Sequence, residues 1–251
     1  MAAISVYARY DGTEKGAITM TKMRTYGYPL PGMPANDLPG RLIVIEGTDG
    51  VGRSTQVALL REWLEQNGYG AVQTGLARSA LASRGINRAK QGNTLSPLTM
   101  DLFYATDFVD RLEKEIIPAL RAGFVMLTDR YIYAPIARAL ARGADPEWIY
   151  DVYGFAIVPD AVFYLRADLE SIIPRVLAAR GEFDYWESGS DVLPGTDLYE
   201  NYVTYQGNVI EKFDSMVNHF NFRVVDASRS VREVFVDLKS QIGEIVAGMH
   251  R

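Results

Sequence analysis

The 251-residue chain carries 26 basic and 31 acidic side chains, so its formal net charge is −5 and we expect no broad basic surface for a nucleic-acid polymer. It has no cysteine and only two histidines, His219 and His250, which excludes disulfide scaffolds and cysteine nucleophiles and disfavours histidine-based metal sites. No apolar run approaches the roughly 18 residues of a membrane helix, and charges interrupt the N-terminus early, so we expect a cytoplasmic protein without signal peptide or membrane partner.

Residues 1–40 differ in pattern from the rest of the chain. Two short mixed runs, 4–10 and 17–24, flank a turn-forming segment and predict a β-hairpin. A proline-rich segment follows and indicates an extended strap, because proline fixes φ and removes a backbone donor. Its prolines are Pro29, Pro31, Pro34 and Pro39. Residues 1–40 are therefore predicted to be an N-terminal extension, either an ordered arm or a partly disordered leader, and 41–251 the main domain.

From Arg41 onward, short β-branched runs alternate with longer helical patterns. Predicted strands cover 41–46, 70–74, 124–128, 161–165 and 222–226. Predicted helices cover 54–67, 96–121, 132–142, 169–180, 197–220 and 231–246, with a further helix starting at Asp145-Pro146. This alternation is typical of βαβ units and predicts an α/β fold in which helices cover both faces of an about five-stranded parallel sheet.

A glycine-rich loop joins the first predicted strand to the first predicted helix. It matches the P-loop pattern G-x-x-x-x-G-K-[ST] except at Arg53, where lysine is expected. Glycines let backbone N–H groups point at a phosphate, and the helix N-terminus adds its positive dipole end. Arginine keeps the charge but is longer and planar. We interpret the loop as a phosphate site rather than a structural turn, and its predicted ATP-binding residues are Gly47, Thr48, Asp49, Gly50, Val51, Gly52, Arg53, Ser54 and Thr55.

Two further segments carry charged side chains at element ends. Asp129 and Arg130 follow the strand at 124–128, at the sheet edge where ligands collect in open α/β folds. The alternative is a capped strand end with a surface ion pair; the P-loop in the same sheet favours the functional interpretation. Arg175 and Arg180 end a helix before an aromatic and acidic segment. They are either lid arginines that meet phosphoryl groups or cations that complement the helix dipole.

The motifs GTDGVGRSTQ, DRY and ARGEFDYWES, in this order and spacing, resemble the thymidylate kinase family of P-loop nucleoside monophosphate kinases. The similarity extends from about Arg41 to the C-terminus and includes LFYATDFVDRLEKEIIPALRAG and VVDASRSVREV. The resemblance implies a P-loop NTPase-type three-layer sandwich with a lid near 178–197. It also implies transfer of a phosphoryl group from ATP, with Mg²⁺, to a nucleoside monophosphate such as thymidylate, and a homodimer.

The resemblance also implies roles for individual residues. Tyr104 matches the aromatic residue that stacks on the acceptor base, Arg130 matches the arginine that holds the acceptor phosphate, and Glu46 lies beside the P-loop. The implied catalytic residues are Asp49, Arg53, Arg130, Arg175 and Arg180. The implied acceptor-binding residues are Asp49, Arg78, Tyr104, Phe108, Arg130 and Arg138. The implied metal site comprises Asp49, Ser54 and Asp129.

Several positions that recognise the acceptor nucleotide in the family differ in this sequence. Phe108 stands where members usually have an arginine, so a donor to the thymine edge is missing. Ala134, Pro135 and Arg138 replace small polar residues and a tyrosine. We therefore expect a broad or shifted monophosphate preference. Two alternatives are a kinase of another small acceptor and a degenerate, non-catalytic nucleotide-binding or regulatory protein. The retained phosphate-handling residues favour an active kinase.

Overall fold

Five strands form one fully parallel sheet in a computed structural model that describes residues 25–28, 38–92, 95–193, 195 and 197–249. The strands are β1 (Arg41–Glu46), β2 (Ala71–Gly75), β3 (Val125–Asp129), β4 (Ala161–Arg166) and β5 (Arg223–Asp226), in the order β2-β3-β1-β4-β5. β1 is central and pairs with β3 and β4, which places Ile43 opposite Leu127 and Ala161. The predicted five-stranded parallel sheet is confirmed.

Helices cover both faces of this sheet. They are α1 (Arg53–Gln66), α2 (Ser83–Gly92), α3 (Pro97–Arg111), α4 (Ile117–Arg121), α5 (Tyr133–Ala141), α6 (Pro146–Val152), α7 (Leu169–Arg180), α8 (Leu198–His219) and α9 (Val231–Val246). Alternate β1 side chains enter two separate cores: Leu42 and Val44 one, Ile43 and Ile45 the other. This confirms the three-layer sandwich. Among the described helices, none combines the length and apolarity needed to span a membrane.

The long helix predicted from 96 to 121 is present but contains a π-helical turn, Leu112–Ile116, between α3 and α4. Ile117 N–H donates to the carbonyl of Leu112, five residues earlier. Pro118 follows at once and has no N–H to continue the regular ladder, which accounts for the local change of register. Its first part, α3, lines the cleft described below, and Ile117 and Leu120 of α4 lie in the core.

Helix α2 was not predicted. Only Ile86 and Ala89 are buried on it, so the segment carries few apolar residues to indicate a helix. Gly85 lies close to the Phe103 ring, where a Cβ atom would be 2.9 Å from Cε1. This close approach seats α2 on α3, beside the cleft described below.

Part of the N-terminal extension packs on the main domain. Thr25 forms an antiparallel bridge with Ile157, and Gly27 N–H donates to the Gly154 carbonyl at 2.7 Å. The Tyr26 hydroxyl lies 2.5 Å from that of Tyr133. These contacts hold residues 25–28 against the rest of the chain, whereas the predicted hairpin at 4–24 and the prolines at 29, 31 and 34 lie outside the described residues.

Candidate active site

The glycine-rich loop adopts a backbone that requires its glycines. Gly47, Gly50 and Gly52 have φ values of 140°, 84° and 89°. A Cβ atom at Gly47 would lie 2.5 Å from the Leu165 carbonyl oxygen, so the loop can pass β4 only without a side chain there. Gly52 is the N-cap of α1. The loop therefore joins the carboxyl end of β1 to a helix N-terminus, as the phosphate-binding interpretation requires.

The Arg53 side chain is folded beneath this loop. One arm, Nη1, donates to the carbonyl oxygens of Gly47, at 2.6 Å, and Thr48. The other side donates from Nε to Oδ1 of Asp129 at 2.9 Å. Only 6% of the residue is exposed. The planar guanidinium group thus links the loop to the end of β3. Arginine can make both sets of contacts because its side chain is longer than that of lysine.

Ser54 and Asp129 lie together where α1 begins. The Ser54 hydroxyl donates to Oδ2 of Asp129 at 2.5 Å. Burial raises the pKa of Asp129, but Arg53 and Arg130 outweigh it and hold that pKa below its ordinary value, so the carboxylate is ionised at neutral pH. A serine hydroxyl and a carboxylate at a P-loop are the oxygen ligands that Mg²⁺ takes beside phosphates. Within the described part of the chain, no three acidic or histidine side chains converge into a metal cage.

Asp49 lies at the centre of a cluster of three arginines. Arg130 Nη2 donates to its Oδ1, Arg138 Nη2 donates to its Oδ2 at 2.8 Å, and Arg53 Nη2 is 3.6 Å away. Burial raises the pKa of Asp49, yet the arginines together hold it far below its ordinary value. Both carboxylate oxygens of Asp49 bind arginine, whereas Ser54 bonds Asp129. The metal role of Asp49 stays a prediction.

The cluster carries a net positive charge at the mouth of the loop. Arg53, Arg130 and Arg138 face two carboxylates, Asp49 and Asp129, which leaves a formal charge of +1. Burial first, then Arg53, lowers the pKa of Arg130, and Asp49 opposes that shift. Its buried Nε has no hydrogen-bond partner among the described residues. Such a site is suited to attract and hold an additional anion.

The backbone that presents Arg130 is held by Glu46. Arg130 itself has φ 72°, in the left-handed region, and its N–H donates to the Ile45 carbonyl at 3.0 Å. Glu46, fully buried at the end of β1, accepts from the N–H groups of Tyr131 at 2.7 Å and Ala134 at 3.3 Å. Burial raises the pKa of Glu46. Glu46 therefore acts as a positioning residue for the start of α5.

A cleft opens beside the arginine cluster. Its walls come from α2, α3, α5 and the lid; the lining residues are Lys90, Pro97, Met100, Asp101, Tyr104, Pro135, Arg138, Arg142, Trp186 and Glu187. Arg138 belongs both to the cleft and to the cluster on Asp49. The cleft therefore places an aromatic face, Tyr104, next to a cationic anion site.

Two predicted acceptor residues belong neither to this cleft nor to the cluster on Asp49. Phe108 is fully buried and packs edge-on against Tyr131, with ring centroids 4.9 Å apart. Phe108 lies on the face of α3 that packs into the core. The prediction that it contacts the acceptor is therefore wrong. Arg78 is exposed and lies against Gly75 at the end of β2. Its contact with the acceptor stays a prediction.

The two predicted lid arginines have different surroundings. Arg180 donates to Oε2 of Glu187 at 2.6 Å; that hydrogen bond mainly raises its pKa, and the charge of Asp49 also contributes. Arg175 instead donates to the carbonyl oxygens of Ala227, at 2.8 Å, and Ser228, at 3.1 Å. Arg175 therefore fastens α7 to the segment after β5, which corrects its predicted role on phosphoryl groups.

The lid is fastened by residues that were not predicted. Arg142 donates to both carboxylate oxygens of Asp191, at 2.8 and 3.0 Å, and to the Trp186 carbonyl at 3.0 Å. The Trp186 indole donates to the Lys90 carbonyl at 2.9 Å. The sequence does contain a signal for Arg142. It follows Arg138 by four residues, and this spacing places both side chains on the same face of the helix.

Comparison with known proteins agrees with this geometry. The family profile described as Thymidylate kinase matches residues 45–238. The chain is 36% identical over 208 residues to "Probable thymidylate kinase 2" of Saccharolobus solfataricus, covering 82% of this chain and 97% of that protein. It is 37% identical to "Probable thymidylate kinase" of Thermococcus kodakarensis, over 57% of this chain and 75% of that protein. It is 30% identical to "Probable thymidylate kinase" of Thermococcus gammatolerans, over 84% of this chain and 100% of that protein. The chain therefore belongs to the thymidylate kinase family.

Proposed function

We propose that this chain transfers the γ-phosphoryl group of ATP to thymidylate, giving ADP and thymidine diphosphate. The observation that carries the proposal is the position of Arg130 and Arg138 on Asp49, between the P-loop and the cleft lined by Tyr104. A donor triphosphate on the loop and a monophosphate in the cleft would meet at this cluster. Family membership supports the same reaction.

The acceptor is held at its two ends. The base stacks on Tyr104, a contact that contributes about 1–3 kcal/mol in comparable sites. The monophosphate approaches Arg130 and Arg138, whose forked guanidinium groups bind two phosphate oxygens each. Because the cluster has a formal charge of +1, the incoming anion is attracted without having to displace Asp49.

The donor is held by the loop and by α1. Backbone N–H groups of residues 47–55 and the helix N-terminus face its phosphates. Arg180, in the lid, would supply a further cation as charge moves during transfer, and the charge of Asp49 contributes to its raised pKa. Ser54 and Asp129 would hold Mg²⁺, which when bound neutralises charge on the donor phosphates. A homodimer and a cytoplasmic location are further predictions from the family.

The test is ADP release from ATP·Mg²⁺ with a panel of monophosphates: thymidylate, deoxyuridylate, deoxycytidylate, deoxyguanylate and uridylate. We expect acceptor-dependent ADP release with thymidylate. The matched pair of variants is Arg138→Ala and Arg166→Ala, since Arg166 lies on the surface with Asp168 and Asp214. Loss of activity in both variants, or ADP release that is independent of every acceptor, would contradict the proposal.

A further inference from the structure

Segment 25–28 precedes the region that matches the family profile, yet it docks on the rest of the chain in a fixed register. The N–H groups of residues 26, 27 and 28 donate to the carbonyl oxygens of Ala156 and Gly154 at distances between 2.7 and 3.2 Å. Because consecutive backbone groups are paired, the side chains of this segment are held at defined positions.

The Tyr26 side chain packs on the first residue of α5. Its hydroxyl lies 2.5 Å from that of Tyr133, whose side chain is fully buried. The Tyr26 ring packs edge-on against Tyr133, with ring centroids 6.3 Å apart, and edge-on against Phe220, with centroids 5.3 Å apart. A buried hydroxyl that loses its partner is costly. Tyr26 and Tyr133 therefore hold each other in place.

Segment 25–28 has a second contact with the turn that leads from β3 into α5. Thr25 forms its antiparallel bridge with Ile157, and the Ile157 carbonyl accepts from the hydroxyl of Tyr131 at 2.9 Å. Tyr131 is also fully buried. The segment thus contacts Tyr133 directly and Tyr131 through one intervening residue, so it holds both tyrosines of this turn.

This turn separates the two arginines that bind Asp49. Arg130 precedes the turn, and Arg138 lies farther along α5. Arg130 has φ 72°, a conformation that a residue with a side chain keeps only where its surroundings hold it. Glu46 holds the backbone here by accepting from two N–H groups. Segment 25–28 holds the side chains of the turn, and both restraints bear on the direction of the two arginines.

We propose that Tyr26 is a positioning residue for the acceptor site: by holding the turn between β3 and α5, it keeps Arg130 and Arg138 directed at the acceptor phosphate. This inference rests on the proposed function for the identity of the acceptor. The contacts of Tyr26 lead to α5 rather than to the loop at residues 47–55. Affinity for the acceptor should therefore depend on Tyr26, and affinity for ATP should not.

The experiment is calorimetric titration of thymidylate and, separately, of ATP·Mg²⁺ into wild type, Tyr26→Ala, Tyr26→Phe and Tyr28→Phe, with turnover measured on the same samples. Tyr28 is the matched control, because it lies on the same segment and its hydroxyl donates to the carbonyl of Asp151, on α6, at 2.9 Å. We expect thymidylate to bind about tenfold or more weakly to Tyr26→Ala, and about three- to tenfold more weakly to Tyr26→Phe, which loses one hydrogen bond. Tyr28→Phe should stay within about twofold of wild type, as should every affinity for ATP.

The two affinities separate positioning from a merely structural role. A structural role would lower the folded fraction, measured as a lower binding stoichiometry, and would leave both affinities unchanged. Equal affinity of Tyr26→Ala and wild type for thymidylate, or an equal loss for ATP, would overturn the inference. If wild type binds thymidylate without turnover and Tyr26→Ala binds it more weakly, the proposed kinase activity is contradicted and the role of Tyr26 is supported.

If Tyr26→Ala does not fold, a double-mutant cycle of Tyr26→Phe and Tyr133→Phe decides. Each single change breaks the same hydroxyl pair, so we expect the double variant to bind thymidylate at most about twofold more weakly than either single variant. Losses that multiply would show that the two hydroxyls act independently and would overturn the inference. Wild-type affinity in Tyr26→Phe would overturn it as well.

Discussion

Replacing Arg53 separates its structural from its electrostatic role. In Arg53→Ala, Asp129 loses a partner at 2.9 Å and the Gly47 and Thr48 carbonyls lose their shared donor. Removing one member of a buried ion pair costs about 3–5 kcal/mol of folding free energy. Loss of a cation from a phosphoryl-transfer site costs about 3–4 kcal/mol of transition-state stabilisation, equivalent to a 10²–10³-fold fall in kcat.

Arg53→Lys keeps the charge but cannot contact the loop carbonyls and Asp129 with one planar fork. We expect it to lose about 1–2 kcal/mol of stability, because hydrogen bonds to a charged group are worth about 1.5–3 kcal/mol each and the ammonium group remakes part of them. Its turnover should stay within about tenfold of wild type. Urea unfolding gives the stability and ADP release gives kcat. If Arg53→Lys were as stable as wild type and turned over much faster, the fork would have no structural use and this reasoning would be wrong.

The remaining predictions concern the other charged residues. Arg180→Ala should lower kcat far more than it raises KM for ATP, because the charge it meets develops during transfer; equal effects on both would indicate simple nucleotide binding. Arg138→Ala should raise KM for thymidylate about tenfold or more with little change in KM for ATP. Arg175→Ala should leave kcat within about twofold, since this arginine binds the carbonyls of Ala227 and Ser228. The pKa of Asp129 is lowered in the folded protein, so the ionised carboxylate stabilises the fold at pH values above its ordinary pKa of about 4. This stabilisation is lost as the pH falls and the carboxylate is protonated. In urea unfolding, the difference in free energy of unfolding between wild type and Asp129→Asn should therefore shrink below about pH 4.

The sequence predicted the fold because alternating strand and helix patterns and the P-loop are local signals. Leu42 to Ile45 read as a buried strand, and they form the centre of the sheet. Helix α2 was not predicted from the sequence because it buries only two residues, Ile86 and Ala89.

Fewer of the site residues were predicted correctly, because a side chain reaches the site only if it also points toward it. Arg175 and Arg180 are five residues apart, about 140° around a helix, so they do not point at one target; Arg138 and Arg142, four apart, share a face. The assignment of Phe108 rested on its place in a motif, which does not reveal that the core takes up this position.

The most direct test of the proposed activity is to follow thymidylate, ATP and Mg²⁺ with the protein by phosphorus NMR. We predict that thymidine diphosphate and ADP appear in equal amounts, and that Arg138→Ala slows both products together. Formation of ADP and inorganic phosphate without thymidine diphosphate would contradict it, because the arginine cluster on Asp49 would then not be holding an acceptor.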